Sequence, residues 1–377
     1  MSGGILFCST MMGPAWGGSE ELWSQAALQL HGRGVEVKAM VREHGDPRPK
    51  LGWMGECRVV SYGMGARTFV RRVMDRMRPE RSAVAVLARE VGDGVGLVCF
   101  SNGGIGEELE AVEWCLAKGV PYVLVCQANA ESWWPEDGRA ERMAVVYAGA
   151  RRVYFVSREN QRLLERQLGV RLGNGEWVAN PYVVDAGREF GWPGTGEDVL
   201  RCAAVGRLDP GAKGQDLLFE VLGREKWRGR RLEVSLYGKG PMERSLRRLA
   251  EMHGLGGRVQ FRGHTGDVTA IWDEHEVLIL PSRLEGTPLV LIEAMLCGRV
   301  PVVTRIAGNG ELVTDGVNGY VAAYPEVEAL DGALERCWEG RAGLREMGQR
   351  AYADIRGMIP RDPAGDFAER LLAVAGG

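Results

Sequence analysis

Lysine is scarce in this chain: only six of the 47 basic residues among its 377 are lysines. Histidine is scarcer, at five (31, 44, 253, 264 and 275), and none stands at ligand spacing from another histidine or a cysteine. A metal cluster of imidazole or thiolate type is therefore not expected. The eight cysteines, at 8, 57, 99, 115, 126, 202, 297 and 337, form no C-x-x-C pair, and several sit in apolar runs such as GLVCFS and YVLVCQ. They read as reduced, buried small hydrophobes of a cytoplasmic protein rather than as a disulfide framework. No apolar run approaches the length that spans a bilayer, and the first residues enter a strand (Gly4 to Ser9) without a basic and apolar leader. Net charge is only −3, which removes any global pull toward nucleic acid. No G-x-G-x-x-G occurs, and Lys239 is followed by glycine rather than Ser or Thr. Both the dinucleotide fingerprint and the Walker phosphate loop are thus missing.

What is present is an ordinary globular balance, 45% hydrophobic and 26% charged, with 54 glycines in no fixed period. Length and alternation predict two domains. In the first half the strands read ILFCST, VEVKAMV, GLVCFS, YVLVCQA and RVYFVS, with helical stretches between them such as Ser19 to Gly32 and Ile105 to Lys118. Strands apolar throughout and separated by helices mean a parallel sheet covered on both faces. The alternation stops at AGREFGWPGTGED, 186–198, and restarts as CAAVGRL, LEVSLYG, RVQFRG, EVLILPS, PVVT and GYVAA. The expected layout is an α/β chain of two Rossmann-like, doubly wound domains facing across a cleft, 1–186 and 199–361, joined by a linker at 187–198. A last helix, about 362–377, packs back on the first domain. In such folds ligands sit beyond the carboxyl ends of the strands.

The most informative segment is PSRLEGTPLVLIEAMLCGRVPVVT, 281–304. A buried strand ends at Ser282 and a helix is expected to begin near Thr287 and Pro288, since proline suits a first turn. Such a helix start offers unpaired N–H groups and a positive dipole end, and Gly286 lets a ligand approach the backbone. Glu285 lies just before the helix and Glu293 about 9 Å further along its axis. A diphosphate at the helix end would have one carboxylate toward its sugar and the other toward its ribose. The plainer alternative is that Glu285 caps the dipole and Glu293 faces solvent. Arg207 and Lys213 follow the strand CAAVGRL, and a lysine kept where arginine is the default suits a phosphate as a compact point charge. The alternative there is a solvated loop charge.

These residues resemble a known family. V-G-R-L-x-x-x-x-K-G, the Y-G-K-G-P turn at 237–241, and E-G-x-P-L-x-x-x-E-A-M look like family 4 (group 1) of the retaining glycosyltransferases. RVQFRGH, and Ala307-Gly308-Asn309-Gly310-Glu311-Leu312-Val313 followed by Asp315-Gly316-Val317-Asn318-Gly319, match as well, while Gly17-Gly18, FVSRENQRLLERQLGV and VANPYVVD agree more loosely. The resemblance implies a GT-B fold and transfer of a hexosyl-type sugar from a nucleotide-diphosphate donor to a hydroxyl acceptor. Transfer would proceed with retention and without a required metal or other cofactor. UDP-sugars lead and GDP-mannose follows on family frequency. By position, Arg207 and Lys213 would neutralise the diphosphate, and Gly286, Thr287 and Leu289 would hold its distal phosphate and sugar. Glu293 would bind the ribose, Glu285 the transferred sugar, and backbone near Arg262 and Gly263 the base. A nucleotide-sugar-binding protein without turnover, or an epimerase or phosphorylase on the same fold, stays open.

The leaving diphosphate gains negative charge, and preorganised cations and a helix end are the groups that stabilise it. On the acceptor side, Gly17-Gly18 before the first helix gives a loop expected to face the donor phosphates, or a plain strand–helix turn. Where the family commonly has a histidine after the fourth strand, this chain has Gln127, which cannot carry charge near neutral pH. Asn129, Glu131, Trp133 and Trp134 in ANAESWWP are further acceptor candidates. The tryptophans could stack on a sugar face or pack the loop onto its own domain. FVRRVMDRMRPER, 69–81, is amphipathic; a core-facing helix with a solvated face explains it better than contact with anionic lipid.

Overall fold

The computed structural model describes residues 3–11, 16–43, 58–64, 79–92, 94–185, 190–193 and 199–376. The chain divides into two compact units, Met1–Pro181 with Asp362–Gly377, and Tyr182–Arg361. The division falls at Pro181, five residues before the boundary set from the linker composition, and most of that linker lies outside the described residues. So does most of 69–81, of which only a 3-10 turn at Pro79–Arg81 is described.

In the first unit seven strands form one sheet: β1 (Gly4–Ser9), β2 (Val37–Glu43), β3 (Arg58–Met64), β4 (Val95–Asn102), β5 (Tyr122–Cys126), β6 (Arg152–Phe155) and β7 (Gly175–Trp177). They lie in the order β3-β2-β1-β4-β5-β6-β7, every pairing parallel. β1 and β5 are buried at every position, as a sheet covered on both faces requires. The helices are α1 (Gly18–Gly32), α2 (Ala83–Glu90), α3 (Leu109–Lys118), α4 (Asp137–Gly149) and α5 (Arg158–Leu168). The strands β3 and β7 were not expected from the sequence. β7 is three residues, Gly-Glu-Trp, none of them buried, and its place comes from register against β6 rather than from apolar content.

The second unit carries α6 (Pro210–Lys213), α7 (Gln215–Gly223), α8 (Glu225–Arg228), α9 (Glu243–Met252), α10 (Val268–Glu274), α11 (Leu289–Leu296), α12 (Asn309–Leu312), α13 (Val327–Glu339) and α14 (Leu344–Met358). Its sheet runs β10-β9-β8-β11-β12-β13, from β8 (Leu200–Val205), β9 (Leu232–Tyr237), β10 (Val259–Gly263), β11 (Val277–Leu280), β12 (Val300–Thr304) and β13 (Tyr320–Ala322). One core joins these strands to α7 and α13 through Leu218, Phe219, Trp227, Val234, Ile279, Val302 and Leu330. Each such aliphatic side chain, fully buried, stabilises the fold by about 1.5–3 kcal/mol.

The final helix, α15 (Pro363–Gly376), belongs to the first unit. Its Phe367, Ala368 and Leu371 are buried with Leu22, Trp23 and Leu30 of α1, and Phe367 meets Tyr154 edge-on at 5.2 Å. Gln29 donates to both oxygens of Asp362 at 3.0 Å.

Both sheets share one topological property. The first strand of each sits in the interior, and the order of the chain reverses beside it, between β1 and β4 and between β8 and β11. The loops leaving such neighbours diverge to opposite faces and open a crevice at the carboxyl edge.

Candidate functional site

At the carboxyl edge of the second sheet, the loop after β8 and the loop after β11 are bound to each other. Arg283 and Leu284 donate their backbone N–H groups to the Ala212 carbonyl at 2.8 and 3.1 Å. The Arg283 guanidinium pairs with Asp216 at 2.6 and 2.8 Å and donates to the Pro210 carbonyl at 2.8 Å. Gly214, between α6 and α7, has φ +65, and a Cβ there would run into the Pro281 carbonyl. Only glycine meets both conditions.

This fastening brings Lys213 to Glu285. Lys213 Nζ donates to Glu285 Oε1 at 2.5 Å, and Ser282 Oγ donates to the same oxygen at 2.7 Å. Glu285 is buried, so these two donors satisfy an oxygen that water barely reaches. The lysine is therefore no solvated loop charge. Arg207 differs: its side chain is about half exposed and pairs with Asp209 at 2.6 Å. It stands at the rim with one guanidinium edge engaged.

The helix after this loop begins one residue later than expected. Pro288 is extended (ψ 127) and occupies the cap position, and α11 starts at Leu289. Proline at the cap still forfeits no needed N–H; the Leu291 N–H turns back to the Pro288 carbonyl at 3.1 Å, while those of Leu289 and Val290 have no intrahelical acceptor. Glu293 lies in the second turn and is buried, with its Oε1 accepting the Val183 N–H at 3.3 Å. The alternative that Glu293 faces solvent fails, because α11 is buried all round from Leu291 to Leu296.

Gly286 and Thr287 are buried under the loop after β12. Gly308 donates its N–H to the Gly286 carbonyl at 2.8 Å, and a Cβ on Gly308 would lie 2.9 Å from Thr287 Cβ. Ala307 beside it holds φ +45, a left-handed conformation uncommon outside glycine. Arg262 is exposed at the end of β10; Gly263, with φ +72, accepts from the Gly238 N–H at 2.8 Å. Asp209, Asp216 and Arg283 escaped sequence reasoning, and Ser282 and Gly308 were named there without a role. Their task is to hold loops together, and no local pattern signals it.

In the first unit, Gly17 caps α1 in an extended conformation (φ −155) and Gly18 is its first residue. Gln127 follows β5 and is buried; its Oε1 accepts from Asn180 Nδ2 at 2.9 Å, while its Nε2 has no partner among the described residues. The two tryptophans diverge. Trp133 closes over Gly104, where an added Cβ would lie 3.0 Å from its ring, whereas Trp134 is 56% exposed. Asn129 is committed to its own loop, donating to Gln167 at 2.8 Å and accepting from the Ala130 N–H at 2.8 Å. Glu131 is exposed, 3.6 Å from Arg166. Among the described residues no group of three or more His, Cys, Asp or Glu is placed to hold a metal, and no helix is long and apolar enough to cross a membrane.

Known proteins place this architecture. Over 98% of the chain, the fold superposes on Anabaena HepE crystallised with UDP, covering 99% of that chain at TM-score 0.77 and 18% identity. A sucrose-phosphate synthase from Thermosynechococcus elongatus agrees equally, at TM-score 0.77 and 18% identity with 98% of each chain covered. The fold is GT-B. Residues 200–339, within the second unit, match the family described as Glycosyl transferases group 1. Among curated relatives, an exopolysaccharide phosphotransferase of Streptomyces coelicolor is 34% identical over 122 residues, 32% of this chain. The putative colanic acid biosynthesis glycosyltransferase WcaL of Salmonella typhimurium is 33% identical over 144 residues, 36% of this chain. These matches cover 13% and 35% of the relatives' own lengths.

Proposed function

We propose that the chain transfers a hexosyl-type sugar from a nucleotide-diphosphate donor to a hydroxyl acceptor, with retention at the anomeric carbon and without a required metal. The observation that carries this reading is Lys213 paired with buried Glu285 at the β8/β11 switch, directly before the α11 start. A cation, a helix amino end and close-packed glycines converge there, and together they suit a diphosphate. Departure of that diphosphate builds charge beside Lys213, with Arg207 entering from the rim. One such preorganised donor is worth on the order of 3 kcal/mol in the transition state. Glu293 would accept from the ribose hydroxyls, Glu285 would contact the transferred sugar, and backbone at Arg262 and Gly263 would meet the base.

UDP-sugars are the favoured donors, consistent with HepE having been crystallised with UDP-glucose. Gln127 Nε2, unpartnered among the described residues, and Trp134 are the groups best placed in the first unit to meet a polyhydroxyl acceptor. The reaction is assigned to the cytoplasm. Calorimetry with UDP, GDP and their sugars in the presence of EDTA tests the donor assignment. Binding of neither nucleotide overturns it. Turnover of the bound donor only after adding a divalent ion would overturn metal independence alone.

A further inference from the structure

A second cavity lies in the first unit, at the edge of its sheet and away from the carboxyl ends of the strands. Half open to solvent, it has a volume of about 290 Å³ and is lined by Arg151, Arg152, Tyr154, Glu176, Arg370, Ala373 and Val374. Arg151 and Arg152 stand where the chain enters β6, Glu176 pairs with Tyr154 across β6 and β7, and Arg370 reaches in from α15. No step of the proposed reaction uses any of them.

Two of the three guanidinium groups are held in part. Arg152 Nε donates to Glu176 at 2.5 Å and its Nη1 to the Arg151 carbonyl at 2.8 Å. Arg370 is fixed by Asp366 at 2.9 Å and the Trp177 carbonyl at 3.1 Å. Those bonds leave both Nη2 groups, and the whole Arg151 guanidinium, without a partner among the described residues. Counting Glu176 and Asp366 against three arginines, one positive charge remains uncompensated, and it belongs to Arg151. Planar guanidinium forks lining one pocket match the tetrahedral oxygens of a phosphoryl group. The Tyr154 ring, with Ala373 and Val374, supplies an apolar wall on one side.

We propose that this cavity binds a phosphomonoester of about sugar-phosphate size, which bridges Arg151 and Arg152 on the sheet to Arg370 on the last helix. Occupancy then clamps α15 onto β6 and β7, independently of the donor site. The same headgroup chemistry exists on a free sugar phosphate and on phosphatidic acid, and a volume of about 290 Å³ suits the former.

The test uses the full chain. Glucose 6-phosphate is titrated by calorimetry, and vesicles of phosphatidylcholine with and without phosphatidic acid are tested by flotation. Expected results are binding of glucose 6-phosphate in competition with inorganic phosphate and slower hydrogen exchange in α15. Affinity should fall tenfold or more in both Arg151→Glu and Arg151→Ala/Arg152→Ala, but not in Lys213→Ala. Binding confined to phosphatidic acid vesicles, and lost in those same arginine variants, keeps the site and assigns it a lipid source. Absence of both, or binding unchanged in Arg151→Glu, overturns the proposal, as does binding lost in Lys213→Ala. Because the Arg151 guanidinium makes no bond among the described residues, its single replacement keeps the test readable if the double variant folds poorly.

Discussion

Lys213 and Glu285, 72 positions apart in the chain, are joined by a 2.5 Å charged hydrogen bond at the edge of two neighbouring strands. The bond couples the position of the cation to a carboxylate that water barely reaches. Neither residue can be removed without changing the state of the other.

Lys213→Ala should lower nucleotide affinity or turnover tenfold or more. It should also reduce stability by about 1–3 kcal/mol, because Glu285 is left buried with one hydroxyl partner. Urea melts of Lys213→Ala, Glu285→Gln and the double variant measure the coupling. A coupling of at least about 0.5 kcal/mol is expected, and strictly additive losses would dismiss the pair as incidental.

Glu293→Gln preserves shape and an acceptor for the Val183 N–H while deleting the charge. UDP affinity should weaken tenfold with an unchanged urea midpoint. Equal affinity by calorimetry removes Glu293 from the ribose role.

Gly308→Ala should destabilise by about 1–3 kcal/mol through overpacking alone, since the new methyl would sit 2.9 Å from Thr287 Cβ and 3.0 Å from the Gly286 carbonyl. Its φ of −59 is ordinary, so no backbone strain contributes. Gly310→Ala is the control, because its nearest neighbour is the flexible Arg305 side chain at 3.1 Å. Melting curves for both, with and without UDP, check the difference. Equal behaviour of the two variants counts against close packing of the loop at Gly286 and Thr287.

His275 is buried at the end of α10, its Nδ1–H donating to the Ile271 carbonyl at 2.7 Å. Burial holds its pKa below the ordinary 6.5, aided by Arg262 and Arg201 and opposed by the Ile271 carbonyl and Glu274. Between that depressed value and about 6.5 the unfolded chain binds more protons, so stability is full above 6.5 and falls as pH drops below it. The melting temperature should decline between pH 7.5 and 5.5 more steeply in the native chain than in His275→Asn. The carboxylates held low by arginine or lysine neighbours, Glu328 and Glu335, act only below about pH 4.5 and leave this window clear. Parallel declines would mean that His275 does not carry the effect.

Strong apolar runs made most of the fold legible. Each strand expected from such a run has a counterpart in one of the two parallel sheets. β7 has no such run, and its existence depends on partners far along the chain. The candidate donor residues were legible as types at a spacing: Glu285, Glu293, Arg207 and Lys213 gather around one sheet edge, on loops or at the helix beyond it. Which carboxylate Lys213 would meet was not legible, because strand order, not local pattern, decides that β11 lies beside β8. On the acceptor side, Asn129 donates to Gln167 of α5 and accepts from the Ala130 N–H, partners that no local pattern signals.

The interior position of β8 also dictates when the pocket can come into being. Its two walls are made at opposite ends of a long stretch of chain, and nothing joins them until β11 has docked along its neighbour. A ribosome-bound fragment stopping short of that strand has the cation and lacks the carboxylate. On the proposed reading of this site, nucleotide capture is a late sign of correct assembly in this half, usable as a read-out of completed folding.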